Sequence, residues 1–151
     1  MIISAFPGLR KEALRSTNKD LYVYLNPKSY KKSYFIEDYI KDIKKYQDSK
    51  MVILINSKPS IREALISSNI PFIYVIPTID RKEEFLYQYK MREFPESFIK
   101  SADTNWERWI LISAYNNKYP TVALPHGYLF DNMEFIVRSY MSFYKAPSPT
   151  L

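Results

Sequence analysis

The chain has 151 residues, enough for one domain with a core of its own. It contains no cysteine and a single histidine, His126, which sets aside disulfides, thiolate metal sites, thiol nucleophiles and histidine-built metal centres or triads. A net charge of +6 with a pI near 9.3 leans toward anionic partners: nucleotides, nucleic acid or an acidic protein surface.

The opening "MIISAF" runs directly into a strand-like segment without a basic start, so no signal peptide is expected. No apolar run reaches the length of a membrane span, and the chain reads as cytoplasmic, with no membrane partner. In chain order, strands are expected at 1–6, 20–25, 50–56 and 71–77. The third is a continuous β-branched run of the kind buried on both faces of a parallel sheet. Between them, Phe35, Tyr39, Ile43 and Tyr46 recur at helical spacing over 33–47. A helix over 60–68 follows Pro59, with Ser60 as its cap and Glu63 three residues on. Further helices are expected at 80–92, 95–116 and 131–144, capped by Asp80 and Asp131. A short strand within 121–127 leads into a turn at Gly127. Strands separated by helices of this length imply βαβ crossovers: a three-layer α/β domain over 1–144 with a mainly parallel sheet, followed by a proline-rich tail at 145–151.

Only two glycines exist, Gly8 and Gly127, and a chain so poor in glycine places them where the backbone demands them. Gly8 lies in "SAFPGLRKEAL", between the first strand and a helix beginning near Lys11. A phosphate-binding loop reads G-x-x-x-x-G-K-[ST] in that position. With Lys11 as its lysine, the glycine positions fall on Ala5 and Arg10 and the hydroxyl position on Glu12. Candidate phosphate-binding residues are therefore Pro7, Gly8, Leu9, Arg10, Lys11 and Glu12. The alternative is a plain strand-to-helix turn in which Pro7-Gly8 makes the bend.

Beyond the loop, "FPGLRKE" (6–12), "IPFIYVIP" (70–77), "RKEEFLYQYKMRE" (81–93) and "FIKSADTNWERWI" (98–110) occur in the order of a known pattern. The chain resembles a family of small P-loop proteins, related to nucleoside and nucleotide kinases, that is common in bacteriophage genomes. The resemblance implies a kinase-like fold and a nucleotide-like ligand, with ATP and Mg²⁺ as cofactors if the protein is active. It would then use Lys11, Arg10, Lys90 and Arg92 for catalysis, with Asn26 and Lys28 on the acceptor side and no protein-built metal site. The departures concentrate where the chemistry would be. Arg10 and Glu12 replace glycine and hydroxyl, Asn26 stands where an acidic residue is expected, and Gln88 and Glu93 replace arginine and glycine.

Retained spacing with altered polar positions suggests a protein that binds a nucleotide-like anion, or a host protein in an anti-defence role, without efficient phosphotransfer. Two alternatives remain at this level: an active nucleotide kinase with an atypical loop, and a basic nucleic-acid-binding module. The second draws on 26–35, where Lys28, Lys31 and Lys32 interleave with Tyr30 and Tyr34. Arg81 and Lys82 read either as further lid cations or as a solvated helix face. Trp106 and Trp109, one helical turn apart, read as core.

Overall fold

The computed structural model describes residues 1–30, 35–114 and 116–145. Lys31, Lys32 and Tyr34 of the basic–aromatic stretch, and all of the tail after Lys145, lie outside these. Five parallel strands form one sheet: β1 (Ile2–Ala5), β2 (Tyr22–Tyr24), β3 (Val52–Asn56), β4 (Ile73–Pro77) and β5 (Thr121–Leu124), in the order β2-β3-β1-β4-β5. Each of the four segments expected as strands, and the short fifth, contributes one strand. β1 lies at the centre, with Ser4 opposite Ile55 of β3 and Tyr74 of β4.

Among the described residues there are six α-helices: α1 (Lys11–Thr17), α2 (Phe35–Gln47), α3 (Pro59–Ser67), α4 (Lys82–Met91), α5 (Glu96–Ala114) and α6 (Met133–Lys145). From β1 the chain moves outward to β2, and every later crossover moves the opposite way. Right-handed connections therefore send α1 to one face and α2, α3 and the α4–α5 pair to the other. The strand alternation agrees with this. The Tyr74 ring meets Arg62 of α3, while Val122, in register with Val75 on the opposite face, borders a groove with Phe135 and Ser139 of α6. The result is a three-layer α/β domain.

All three of the expected caps differ. Pro59, not Ser60, takes the first helical position of α3, where its missing N–H costs nothing, and Lys58 precedes it without a side-chain cap bond. The segment around Asp80 begins as a 3-10 turn, Ile79–Arg81, whose preceding residue Thr78 also makes no side-chain cap. Asp131 instead closes the turn before α6, accepting the Tyr128 N–H at 2.9 Å.

β4 is tied to α6 by one hydroxyl. Tyr144 Oη donates to the Phe72 carbonyl at 2.8 Å and accepts the Phe72 N–H at 3.1 Å. Tyr144→Phe leaves both backbone groups without these bonds, at an expected cost of about 1–2 kcal/mol, readable as a lower urea midpoint with an unchanged slope.

Candidate functional site: the cationic loop after β1

The chain leaves β1 through a type II turn, with Pro7 at its second position and Gly8 at its third. The Leu9 N–H bonds the Phe6 carbonyl at 3.2 Å, and Gly8 has φ +96°. Helix α4 lies against this turn. Tyr89 Oη donates to the Pro7 carbonyl at 2.7 Å. A Cβ added at Gly8 would meet Tyr89 Cε1 at 3.0 Å and the Phe85 ring at 3.1 Å. Leu9 is wholly buried, and its carbonyl accepts the Leu129 N–H at 3.2 Å. Pro7, Gly8 and Leu9 thus pack inward. Arg10 and Glu12 are exposed, and Lys11 is half-buried.

Arg10 has φ +62° and ψ +57°, the left-handed conformation that a phosphate-binding loop gives to glycine. The arginine that takes this conformation is anchored by its guanidinium. Its guanidinium stacks 4.0 Å above the Tyr128 ring, and its Nε donates to Gln88 Oε1 at 3.3 Å. Arg92, one turn beyond Gln88 and just past the end of α4, donates to the same oxygen at 3.1 Å. Lys11 completes the group, with its Nζ 5.6 Å from the centre of the Tyr24 ring. Burial first, and the Arg92 charge second, bring the Lys11 ammonium down to about 8, with Glu12 opposing weakly. Burial and the Glu12 charge also raise the Tyr24 hydroxyl.

Charge balance sets this cluster apart from its neighbour. Arg81, 5% exposed, forms a two-pronged pair with Glu84 at 2.9 and 2.6 Å and donates to the Leu124 and Gly127 carbonyls. That arrangement pulls the Glu84 carboxyl below its usual range and pins the turn after β5 to α4. Arg81 is therefore a structural cation. Arg10 and Arg92, by contrast, share one neutral amide oxygen, and neither is in an ion pair among the described residues. The Gln88 Nε2 is buried without a partner among them. Glu12, the nearest acid in sequence, leans toward Arg15 at 3.8 Å and is itself largely exposed.

The remaining predicted residues are dispersed. Lys90 is exposed, two residues round α4 from the row of Gln88 and Arg92. Lys82 pairs with Asp103 at 2.9 Å on the surface. Asn26 Oδ1 accepts the Lys28 N–H at 3.0 Å, closing a local turn after β2, and Lys28 is exposed. His126 is exposed, with its carbonyl bonded by Asn132 Nδ2 at 3.0 Å. Trp106 is buried and donates its indole N–H to the Ile79 carbonyl at 2.8 Å, while Trp109 is half-buried.

No protein-family model, curated protein or solved structure matches this chain. The chemistry of the site therefore rests on its own geometry. Sequence reasoning missed Tyr24 and Tyr128, which supply the rings against Lys11 and Arg10. The one signal available for Tyr128 was its position directly after Gly127. No helix among the described residues is long and apolar enough to cross a membrane.

Proposed function

We propose that this chain binds a phosphate-bearing, nucleotide-like anion at Arg10, Lys11 and Arg92, and that it does so without efficient phosphoryl transfer. The observation that carries this reading is the unbalanced charge. Two guanidinium groups converge on one neutral oxygen, beside a lysine whose proton burial and the Arg92 charge already loosen. An anion set among them would relieve the repulsion. The cluster sits at the carboxyl end of the central strand, the usual ligand position in open α/β sheets. The resemblance to small P-loop proteins points to a nucleotide, and Gln88 Nε2 offers a further donor.

Phosphoryl transfer depends on positioning and on metal-assisted neutralisation of charge. Here the backbone glycine is an arginine, and the residue that would offer Mg²⁺ a hydroxyl is a glutamate turned toward Arg15. Incubation with ATP-Mg²⁺ and a panel of nucleosides and nucleoside monophosphates is expected to give turnover far below about 1 s⁻¹, the low end of kinase rates. Turnover at that rate would establish an active kinase instead. Glu12→Ser removes a carboxylate from the neighbourhood of the anion. Because Glu12 is exposed, binding of ATP should tighten only a few-fold, about 0.3–1 kcal/mol, as measured by calorimetric titration.

A further inference from the structure

Strand β5 forms one edge of the sheet, and its backbone leaves that edge open. The Tyr74 N–H bonds the Pro120 carbonyl at 2.9 Å, and the Thr78 N–H bonds the Leu124 carbonyl at 3.1 Å. In a parallel ladder with this register, Val122 and Leu124 direct their backbone groups at β4. Thr121 and Ala123 therefore turn both N–H and C=O away from the sheet. Among the described residues no hydrogen bond reaches any of these four groups, although Asn116 does bond the Thr121 hydroxyl at 3.1 Å. Ala123 is exposed. Native proteins guard such edges with charge, with an inserted proline or with a covering segment. β5 has no charged side chain, and Pro120 and Pro125 flank its four residues rather than interrupt them.

On the face that Val122 shares with α6, a groove runs beside this edge, bordered by Tyr119, Val122, Phe135, Ser139 and Phe143. Phe135 is 48% and Phe143 41% exposed. Among the described residues lining the groove only Arg138 is charged, and Glu134 pairs with it. In a chain of net charge +6, this is a surface on which two copies can meet without repulsion. The opposite edge differs. There β2 has three residues, follows Lys19 and Asp20, and has the Lys11 ammonium beside Tyr24. The open groups of β5 are also self-complementary. With two β5 strands antiparallel about a two-fold axis at Val122, Thr121 of each copy opposes Ala123 of the other as a hydrogen-bonded pair. Every one of the four open groups in each copy then has a partner. Such an axis keeps both α6 helices on one face of the joined sheet, so Phe135 and Phe143 flank the junction.

We propose that two copies of this chain join along β5, antiparallel about Val122, into one continuous sheet. The proposal does not rest on the anion site. The full chain is followed by sedimentation at concentrations up to about 100 µM, and its mass should rise toward twice the 18.0 kDa of one chain. Ala123→Pro removes an outward N–H, leaves the β4 ladder intact and should hold the chain at the single-copy mass. Phe135→Glu, in the first turn of α6 where a carboxylate suits the helix, should do the same. Far-UV circular dichroism checks that both remain folded. Tyr87→Glu on α4, 66% exposed and away from β5, should leave the dimer unchanged. Cross-linking tests the register, since the chain has no cysteine of its own. Val122→Cys sets two thiols across a non-hydrogen-bonded pair, about 4.5 Å between Cα atoms, and oxidation should give a disulfide dimer. Ala123→Cys lies diagonal to its own copy, about 7–8 Å away, and should cross-link at least about tenfold more slowly. A chain that stays at 18.0 kDa throughout, whether its tail or another protein takes this edge, would overturn the proposal. So would a dimer that survives either Ala123→Pro or Phe135→Glu, or equal cross-linking of the two cysteine variants.

Discussion

Gly8→Ala is expected to destabilise the fold by about 2–5 kcal/mol, a large share of the stability of a domain this size. Two independent costs add. At φ +96° an alanine is held in a conformation that L-residues rarely adopt, worth about 1–2 kcal/mol. Its methyl also falls 3.0 Å from Tyr89 Cε1 and 3.1 Å from Phe85, both core rings that cannot swing clear, and overpacking of that kind costs about 1–3 kcal/mol. Urea unfolding reads the sum. A loss below about 0.5 kcal/mol, the range of ordinary surface changes, would mean that α4 does not clamp this turn.

Lys11→Met is expected to act with opposite signs on stability and on binding. In the free protein the Lys11 ammonium is desolvated and faces Arg92, which is why its pKa lies near 8 rather than at the ordinary value of 10.5. At pH 7 it is still protonated, so its charge opposes folding. A methionine of similar length keeps the packing without the charge, and the unfolding midpoint should hold or rise. Nucleotide affinity should fall by about tenfold or more, the loss of one charge-assisted hydrogen bond at about 1.5–3 kcal/mol. A variant that unfolds more easily yet binds ATP as well as the parent would make Lys11 a structural residue and remove it from the anion site.

Much of the fold was legible in the sequence because its signals are local. The β-branched runs at 52–56 and 73–77 and the helical spacing of Phe35, Tyr39 and Ile43 need only neighbouring residues to be read. The Ser60 cap misled because a proline one residue earlier competes for the helix start and has the stronger preference for it. The site was legible only in part. Lys11 and Arg10 announce themselves next to Gly8, but the partner that gathers Arg10 and Arg92 is Gln88, 78 residues further along the chain from Arg10. Tyr128 is 118 residues beyond Arg10. Arg81 and Arg92 look alike in sequence, eleven residues apart on one basic segment. Only the fold shows one neutralised by Glu84 and the other without an acid partner among the described residues. Arg62 carries no sequence signal at all, because its place over the Tyr74 ring is visible only in the fold.

The most direct test of the anion site is the proton balance of binding. ATP is titrated into the protein by calorimetry at pH 8 in buffers of differing ionisation enthalpy. Nucleotide phosphates, with second ionisations near 6, are then already fully charged and contribute no protons. A free-state Lys11 near 8 is about half protonated at that pH, and an anion beside it raises its pKa. Binding should therefore take up as much as about half a proton per nucleotide at pH 8 and next to none at pH 7, where the lysine is already charged and the phosphate gives up about a tenth of a proton. The uptake should vanish in Lys11→Met. ATP binding with no proton uptake at pH 8, or with the same uptake after Lys11→Met, would contradict an anion seated among Arg10, Lys11 and Arg92.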